Sequence, residues 1–247
     1  MNMENNIVRK LIKNNINPFG FILTSPGSGR VHCVVQNIMQ VREECPNDKI
    51  IVVDANGDYS KFIDKCGGKN IVLSSGSVFE KNENLHYTPT LEDLYNVMKE
   101  RNTDDNSIEK RVITVIENII SDELNILGSI TNIDVANLMS FDISSFPLEC
   151  RDAAMICVIE YVWSQVLKLP ISENRTWIFI DNINLLFCKD KNVQEDILEY
   201  LNYLFKSREE SAVFIGVTNE LNTLSNQDYI NNSLFKNSEL LILKKEG

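Results

Sequence analysis

The chain has 247 residues, of which 43% are apolar and 24% charged, and it carries a formal net charge of −11 at pH 7. This composition is that of a folded globular domain and excludes an intrinsically disordered chain. The excess of acidic residues disfavours binding to nucleic acid or to acidic lipid, because a net negative surface repels both.

The six cysteines form no Cys-x-x-Cys pair and stand mostly in apolar surroundings, which indicates reduced thiols in a cytosolic protein. No apolar run approaches the roughly 20 residues of a membrane-spanning helix, and the first residues lack the apolar segment of a signal peptide. His32 and His86 have no cysteine or carboxylate at metal-ligand spacing, so we assign them no metal. We expect a cytoplasmic protein that reaches the inner face of a membrane only through partners.

Seven short apolar segments are predicted to be β-strands. Several are apolar at every position, which is typical of parallel strands that helices cover on both faces. In chain order the predicted strands are 21–24, 50–54, 71–74, 139–143, 177–181, 213–218 and 240–244.

Apolar residues spaced three and four apart predict helices between most of these strands. Alternating strands and helices indicate right-handed crossovers and a mostly parallel α/β sheet with helices on both faces. Residues 89–129 contain no convincing strand and are predicted to form a helical insertion within the domain. The helical stripes lie at 31–41, 91–98, 112–120, 154–166 and 197–204.

The segment between the first strand and the first helical stripe follows the spacing of a phosphate-binding loop, G-x-x-x-x-G-K-[ST]. Residues 24–31 read TSPGSGRV. Gly27 and Gly29 permit a tight turn whose N–H groups, together with Ser28 and the helix N-terminus, can cradle an anion. A glycine-rich turn without a ligand explains this loop as well as the remnant of a nucleotide site does.

The side chains of the loop depart from the phosphate-binding pattern. Arg30 stands where lysine would reach the phosphates, and a guanidinium does not replace an ammonium conservatively. Val31 stands where a hydroxyl would bind Mg²⁺, and it cannot ligate a metal. Thr24 replaces the opening glycine.

Further candidate site residues follow later strands. Asp181 ends an apolar strand as a Walker B carboxylate does, and it is the candidate Mg²⁺ ligand, although we assign no metal site. Asn182 can orient a water but cannot act as its base. Asn219 either senses a γ-phosphate or simply forms a turn. Arg208 either complements the dipole at its helix end, the favoured reading, or acts as an arginine finger.

Five segments occur in collinear order: NPFGFILTSPGSGR, IIVVDANGDYSKFIDKCGGKNIVLSSGS, GSITNIDVANLMSFDIS with RDAAMICVIEYVWSQV, TWIFIDNINLLF and GVTNELNTL. Together they resemble the C-terminal motor domain of the type IV secretion and conjugation assembly ATPase of the TraC/TraE type, within the FtsK/HerA group of RecA-like motors. The resemblance implies a RecA-like P-loop domain over residues 17–247 after a lead-in at 1–16. It also implies ATP or ADP as ligand and other subunits of a secretion complex as partners.

The departures from active members of that family fall in one class. Arg30 replaces lysine, Val31 replaces serine or threonine, Asn182 and Asn56 replace glutamate, and Asn219 replaces glutamine. The apolar framework is kept, whereas the positions that handle phosphate, metal and water are changed. Since loss of one transition-state donor costs about 10²–10³ in rate, several losses together should leave little turnover.

These departures favour a pseudo-ATPase that serves as a structural or interaction subunit, beside an active paralogue or in a homo-oligomer. Binding of ATP or ADP is expected to be weak or absent, and Mg²⁺ is not expected. Two alternatives stay open: a nucleotide sensor that does not hydrolyse, and an ATPase with an atypical site in which Arg30 replaces lysine and Asp181 holds Mg²⁺ through water.

A DNA-translocating motor is disfavoured by the charge. The family's membrane-docking N-terminal domain is not recognised, which leaves open an excised domain or a naturally short protein.

Overall fold

The computed structural model describes residues 7–13, 19–73, 136–168, 174–187, 197, 199–201, 203–204, 211–219 and 238–243. The strands are β1 (Phe19–Thr24), β2 (Lys49–Asp54), β3 (Lys69–Val72), β4 (Leu138–Asp142), β5 (Thr176–Asp181), β6 (Ala212–Thr218) and β7 (Glu239–Leu243). The helices are α1 (Ile7–Lys13), α2 (Arg30–Glu44), α3 (Ser60–Lys65) and α4 (Arg151–Lys168), with 3-10 turns at Leu148–Cys150 and Ile183–Phe187.

The seven strands form one parallel sheet in the order β3-β4-β2-β5-β6-β1-β7. All seven predicted strands are confirmed, with ends that differ by no more than two residues where the structure describes them. The helical stripes at 31–41 and 154–166 are α2 and α4, and the described residues within 197–204 are helical. The stripes at 91–98 and 112–120, and the insertion at 89–129, lie outside the described residues.

Both faces of the sheet are covered, which explains why its strands do not alternate in polarity. Successive side chains of a strand point to opposite faces. Ile51 and Val53 of β2 therefore pack into one apolar cluster with α4, whereas Ile50 and Val52 pack into a second cluster with α1 and α2. Each such fully buried side chain stabilises the fold by about 1.5–3 kcal/mol. Among the described residues, no helix is long and apolar enough to cross a bilayer.

Helix α1 belongs to the second apolar cluster. Its Ile7, Val8 and Leu11 are buried. The helix lies close to β1 at Gly20, where an added Cβ would stand 2.8 Å from the Cδ1 atom of Ile7. Part of the segment interpreted as a lead-in, residues 1–16, thus contributes a helix to the core.

The parallel arrangement brings five polar residues to one edge of the sheet. They end β1, β2, β4, β5 and β6, and all five are buried: Thr24, Asp54, Asp142, Asp181 and Thr218. Ligands of open parallel sheets bind at the carboxyl ends of the strands. The candidate site lies at this edge.

Candidate functional site

The loop after β1 forms a tight turn. The N–H of Ser28 donates to the carbonyl oxygen of Ser25 over 3.0 Å, and the Ser28 hydroxyl donates to the same oxygen over 2.6 Å. Pro26 precedes Gly27, whose φ is 77°, as a type II turn requires. Gly29 has a φ of 80° and precedes the first residue of α2. The predicted turn is present, but it already uses the Ser28 N–H that an anion cradle would offer.

Thr24 fixes the base of this loop. Its hydroxyl donates to the carbonyl oxygen of Thr218 over 3.1 Å, which joins β1 to the end of β6. The Thr218 hydroxyl in turn donates to Oδ1 of Asn184 over 2.9 Å in the 3-10 turn after β5. These buried bonds connect the ends of three strands and hold the loop over the sheet edge.

The side chain of Arg30 crosses the sheet edge from α2 to β5. Its Nη1 atom lies 3.2 Å from Oδ1 of Asp181 and donates to Oδ1 of Asn182. Its Nη2 atom donates to Oδ2 of Asp58 over 2.8 Å. The Arg30 side chain is 14% exposed. Three of the residues that the sequence singles out, Arg30, Asp181 and Asn182, are thus brought into direct contact.

Asp181 is a buried carboxylate with little direct support. Its side chain is 1% exposed, and no side-chain donor in the described part of the chain forms a directed hydrogen bond with either oxygen. Burial raises the pKa of Asp181 to about 7, Arg30 opposes that rise, and Asp54 and Asp58 add to it. Arg30 is therefore an electrostatic partner at ion-pair distance, while its Nη1 hydrogen bond goes to Asn182.

Asp54 organises the loop after β2, a role that the sequence reasoning missed. Its Oδ1 accepts the N–H groups of Asn56, Gly57 and Asp58 over 3.1, 2.8 and 3.1 Å, and its Oδ2 accepts the N–H of Tyr59 over 2.9 Å. Burial raises the pKa of Asp54 above its ordinary value, although these N–H groups oppose the shift. The sequence signal was an aspartate at a strand end followed, after Ala55, by Asn-Gly, which favours a turn around the carboxylate.

Tyr59 is a buried residue close to the charged groups of the site. The residue is fully buried, and its hydroxyl has no hydrogen-bond partner among the described residues. Burial raises the pKa of Tyr59, and the nearby Asp181 raises it further. The phenol therefore stays protonated and adds no charge beside Asp181.

Of the other predicted site residues, Val31 and Asn219 take no part in the described ion pairs and hydrogen bonds of Arg30, whereas Asn182 accepts one of them. Val31 packs, partly buried, against the second apolar cluster. Asn182 has a left-handed backbone with a φ of 53°, which asparagine tolerates better than most residues. Asn219 is half-buried directly after β6. Arg208 lies outside the described residues.

The described ranges hold no group of three or more histidine, cysteine or acidic residues arranged to bind a metal ion. His32, which the sequence excluded as a ligand, is exposed on α2. His86 lies outside the described residues.

A cavity of about 340 Å³ lies at the opposite edge of the sheet, between residues 44–48 and 174–177. The carboxylate of Asp48 is already used there: it accepts the N–H of Arg175 and the indole N–H of Trp177, each over 2.8 Å. The cavity stands at the amino ends of β2 and β5 and is remote from the loop at 24–31. The candidate site residues lie at the other edge, at the carboxyl ends of the strands.

Two solved structures share the architecture. VirB4 of Thermoanaerobacter pseudethanolicus matches with a TM-score of 0.72 at 13% identity, over 92% of this chain and 77% of that one. The bacterial conjugative coupling protein TrwB matches with a TM-score of 0.54 at 10% identity, over 89% of this chain and 68% of that one. This chain has the RecA-like P-loop fold. No protein-family model and no curated protein matches its sequence.

The P-loop fold implies a bound nucleotide with Mg²⁺, and binding of that ion depends on particular side chains. In P-loop enzymes the loop hydroxyl and a Walker B aspartate hold the ion. Here Val31 supplies no oxygen, and a guanidinium stands 3.2 Å from the carboxylate of Asp181. These residues do not fit Mg²⁺ at Asp181. The glycine turn and the start of α2 have the backbone form that a phosphate site would use.

Proposed function

We propose that this chain is a pseudo-ATPase subunit of a conjugation or type IV secretion apparatus, which acts through protein contacts and not through ATP turnover. The observation that carries the proposal is the contact between Arg30 and Asp181. The one cationic side chain of the loop is committed to the carboxylate that an active enzyme would reserve for Mg²⁺. Neither group is then available for the γ-phosphate or its metal.

The likeness to VirB4 and to a conjugative coupling protein supports the choice of apparatus, together with the five collinear segments of the sequence. Partners in this proposal are other subunits of such a complex, including an active paralogue or further copies of this chain. The chain acts in the cytoplasm and meets the membrane through those partners. The net charge of −11 supports protein partners over nucleic acid.

Phosphate release from ATP with Mg²⁺ tests the proposal, with Asp181→Ala as the matched comparison. We expect the wild type and the variant to show the same background, because Asp181 serves no catalytic metal. Turnover near one per second in the wild type, lost in Asp181→Ala, would establish the alternative of an active enzyme with an atypical site and would refute the pseudo-ATPase.

A second candidate function is a nucleotide sensor that binds without hydrolysis. The retained turn with left-handed Gly27 and Gly29 before α2 favours it, since such turns present N–H groups to anions. A ligand that binds only the native state raises the melting temperature. A rise with ATP or ADP at millimolar concentration, equal with and without Mg²⁺, supports the sensor. An unchanged melting temperature leaves the interaction subunit as the proposed function.

A further inference from the structure

We infer that Arg30 takes the place of the divalent cation at Asp181. Its guanidinium balances the charge of the carboxylate and connects the residues of the site without a metal ion. The inference rests on the proposed non-hydrolysing function and concerns what stands in the place of the ion. It applies to the contact of Arg30 with Asp58, Asp181 and Asn182.

The charges around the site call for one cation. Asp54 is satisfied by four backbone N–H groups, and Asp58 is 38% exposed and paired with Nη2 of Arg30. Asp181 is buried and has only the Arg30 guanidinium as a nearby opposite charge in the described part of the chain. A buried carboxylate is costly unless a cation compensates it. The guanidinium supplies that compensation.

The guanidinium and a metal ion exclude each other at this carboxylate. Mg²⁺ binds oxygen ligands at about 2.0–2.1 Å and keeps a shell of waters around itself. A guanidinium nitrogen 3.2 Å from Oδ1 of Asp181 occupies part of that shell. Two positive groups so close together would also repel each other. The ion could bind only if Arg30 moved away.

The same side chain connects three parts of the fold. Arg30 begins α2, Asp58 lies in the loop after β2, and Asp181 ends β5. A metal–nucleotide complex would form such a connection only while it is bound. A side chain of the protein maintains it permanently, so the loop after β2 and the end of β5 are held to α2 without any ligand.

Titration with Mn²⁺ alone, followed by electron paramagnetic resonance, tests the replacement. We expect the wild type and Asp181→Asn to bind Mn²⁺ equally, because Arg30 already occupies the position. We expect Arg30→Met to gain about one further Mn²⁺ site, which the double variant Arg30→Met/Asp181→Asn loses. Arg42→Met, an exposed arginine of the same helix, should behave as the wild type.

Two results would overturn the inference: a Mn²⁺ site in the wild type that Asp181→Asn abolishes, or no added site in Arg30→Met. The comparison of the wild type with Asp181→Asn can still overturn the inference where Arg30→Met does not fold. These measurements contain no ATP, so their failure is distinct from that of the proposed function, which phosphate release tests.

Amide exchange without ligand provides a second readout for the permanent connection. In Arg30→Met the amide hydrogens of residues 55–59 should exchange about tenfold faster than in the wild type, as expected when one or two net hydrogen bonds are lost. Arg30→Lys should not restore the wild-type rate, because an ammonium lacks the planar fork that contacts several acceptors at once. An unchanged amide exchange rate in Arg30→Met would show that Arg30 does not hold the loop after β2 in place.

Discussion

The Nη1 atom of Arg30, at the start of α2, lies 3.2 Å from the Oδ1 atom of Asp181, at the end of β5. These are the residues at the lysine position of the loop and at the Walker B position, and strand β6 separates β1 from β5. The contact neutralises the buried carboxylate from within the chain. It joins the loop after β1 to the end of β5.

Replacing Arg30 should lower the free energy of unfolding. Arg30→Met leaves Asp181 buried without its opposite charge and removes the hydrogen bonds to Asn182 and Asp58. We expect a loss of about 1–3 kcal/mol, which urea denaturation above pH 7, where Asp181 is ionised, measures. Arg42→Met is the control, because within the described part of the chain this exposed arginine donates one long bond, 3.5 Å, to the carbonyl oxygen of Cys66. The control should change stability by no more than about 0.5 kcal/mol, and an equal loss in both variants would contradict the account.

The stability of the fold should depend on Asp181 between about pH 4 and pH 7. The folded protein holds the Asp181 proton up to about pH 7, whereas the unfolded chain releases it near 3.8. The folded state therefore binds more protons in this window, and this group makes the free energy of unfolding fall as pH rises through it.

Asp181→Asn removes this titration, which denaturation curves at pH 4.5 and pH 7.5 can detect. The wild type should lose stability relative to the variant by about 1–3 kcal/mol between the two pH values. Parallel pH profiles for the two proteins would show that the carboxyl has an ordinary pKa, and would argue against its burial.

The loop after β2 should depend on Asp54. Asp54→Ala removes the acceptor of four backbone N–H groups, so we expect a loss of about 2–4 kcal/mol and faster amide exchange at residues 56–59. Asp64→Ala, an exposed aspartate of α3, is the matched control and should leave that exchange unchanged. Wild-type exchange rates in Asp54→Ala would rule out the carboxylate as the organiser of the loop.

The packing of β6 against β1 should not tolerate a methyl group at Gly216. A Cβ there would lie 2.7 Å from Cε1 of Phe21 and 3.0 Å from Cδ1 of Ile183. Gly216→Ala should therefore cost about 1–3 kcal/mol through overpacking, measured as a lower urea midpoint. Gly67→Asn is the control, because its left-handed backbone has no neighbour within 4 Å of the added atom and suits asparagine. A wild-type midpoint in Gly216→Ala would contradict the described register of β1 and β6.

The sheet was predictable from the sequence because its strands are buried on both faces and so appear as unbroken apolar runs. Helix α1 was not predicted, since its 7 residues give too short a pattern. What stabilises α1 is a tertiary contact, the close approach of Ile7 and Leu11 to β1 at Gly20. A short segment of this kind becomes visible only when its partner is known.

The sequence singled out Arg30, Asp181 and Asn182 as candidates, but it did not predict the contacts among them. The sequence showed that Arg30, Val31 and Asn182 depart from the phosphate-binding pattern. It could not show that the guanidinium turns onto Asp181, because that depends on the strand order and on the path of one side chain. Asp54 was missed for a related reason: its acceptor role depends on how the backbone of residues 56–59 folds around it.

A crystal structure of the chain grown with Mg²⁺ and a non-hydrolysable ATP analogue tests the central claim most directly. The account predicts that a guanidinium nitrogen of Arg30 stays within about 4 Å of a carboxylate oxygen of Asp181, as an ion pair requires, and that no metal density appears at the carboxylate. Mg²⁺ bound to Asp181, with Arg30 turned towards the phosphates, would contradict the account.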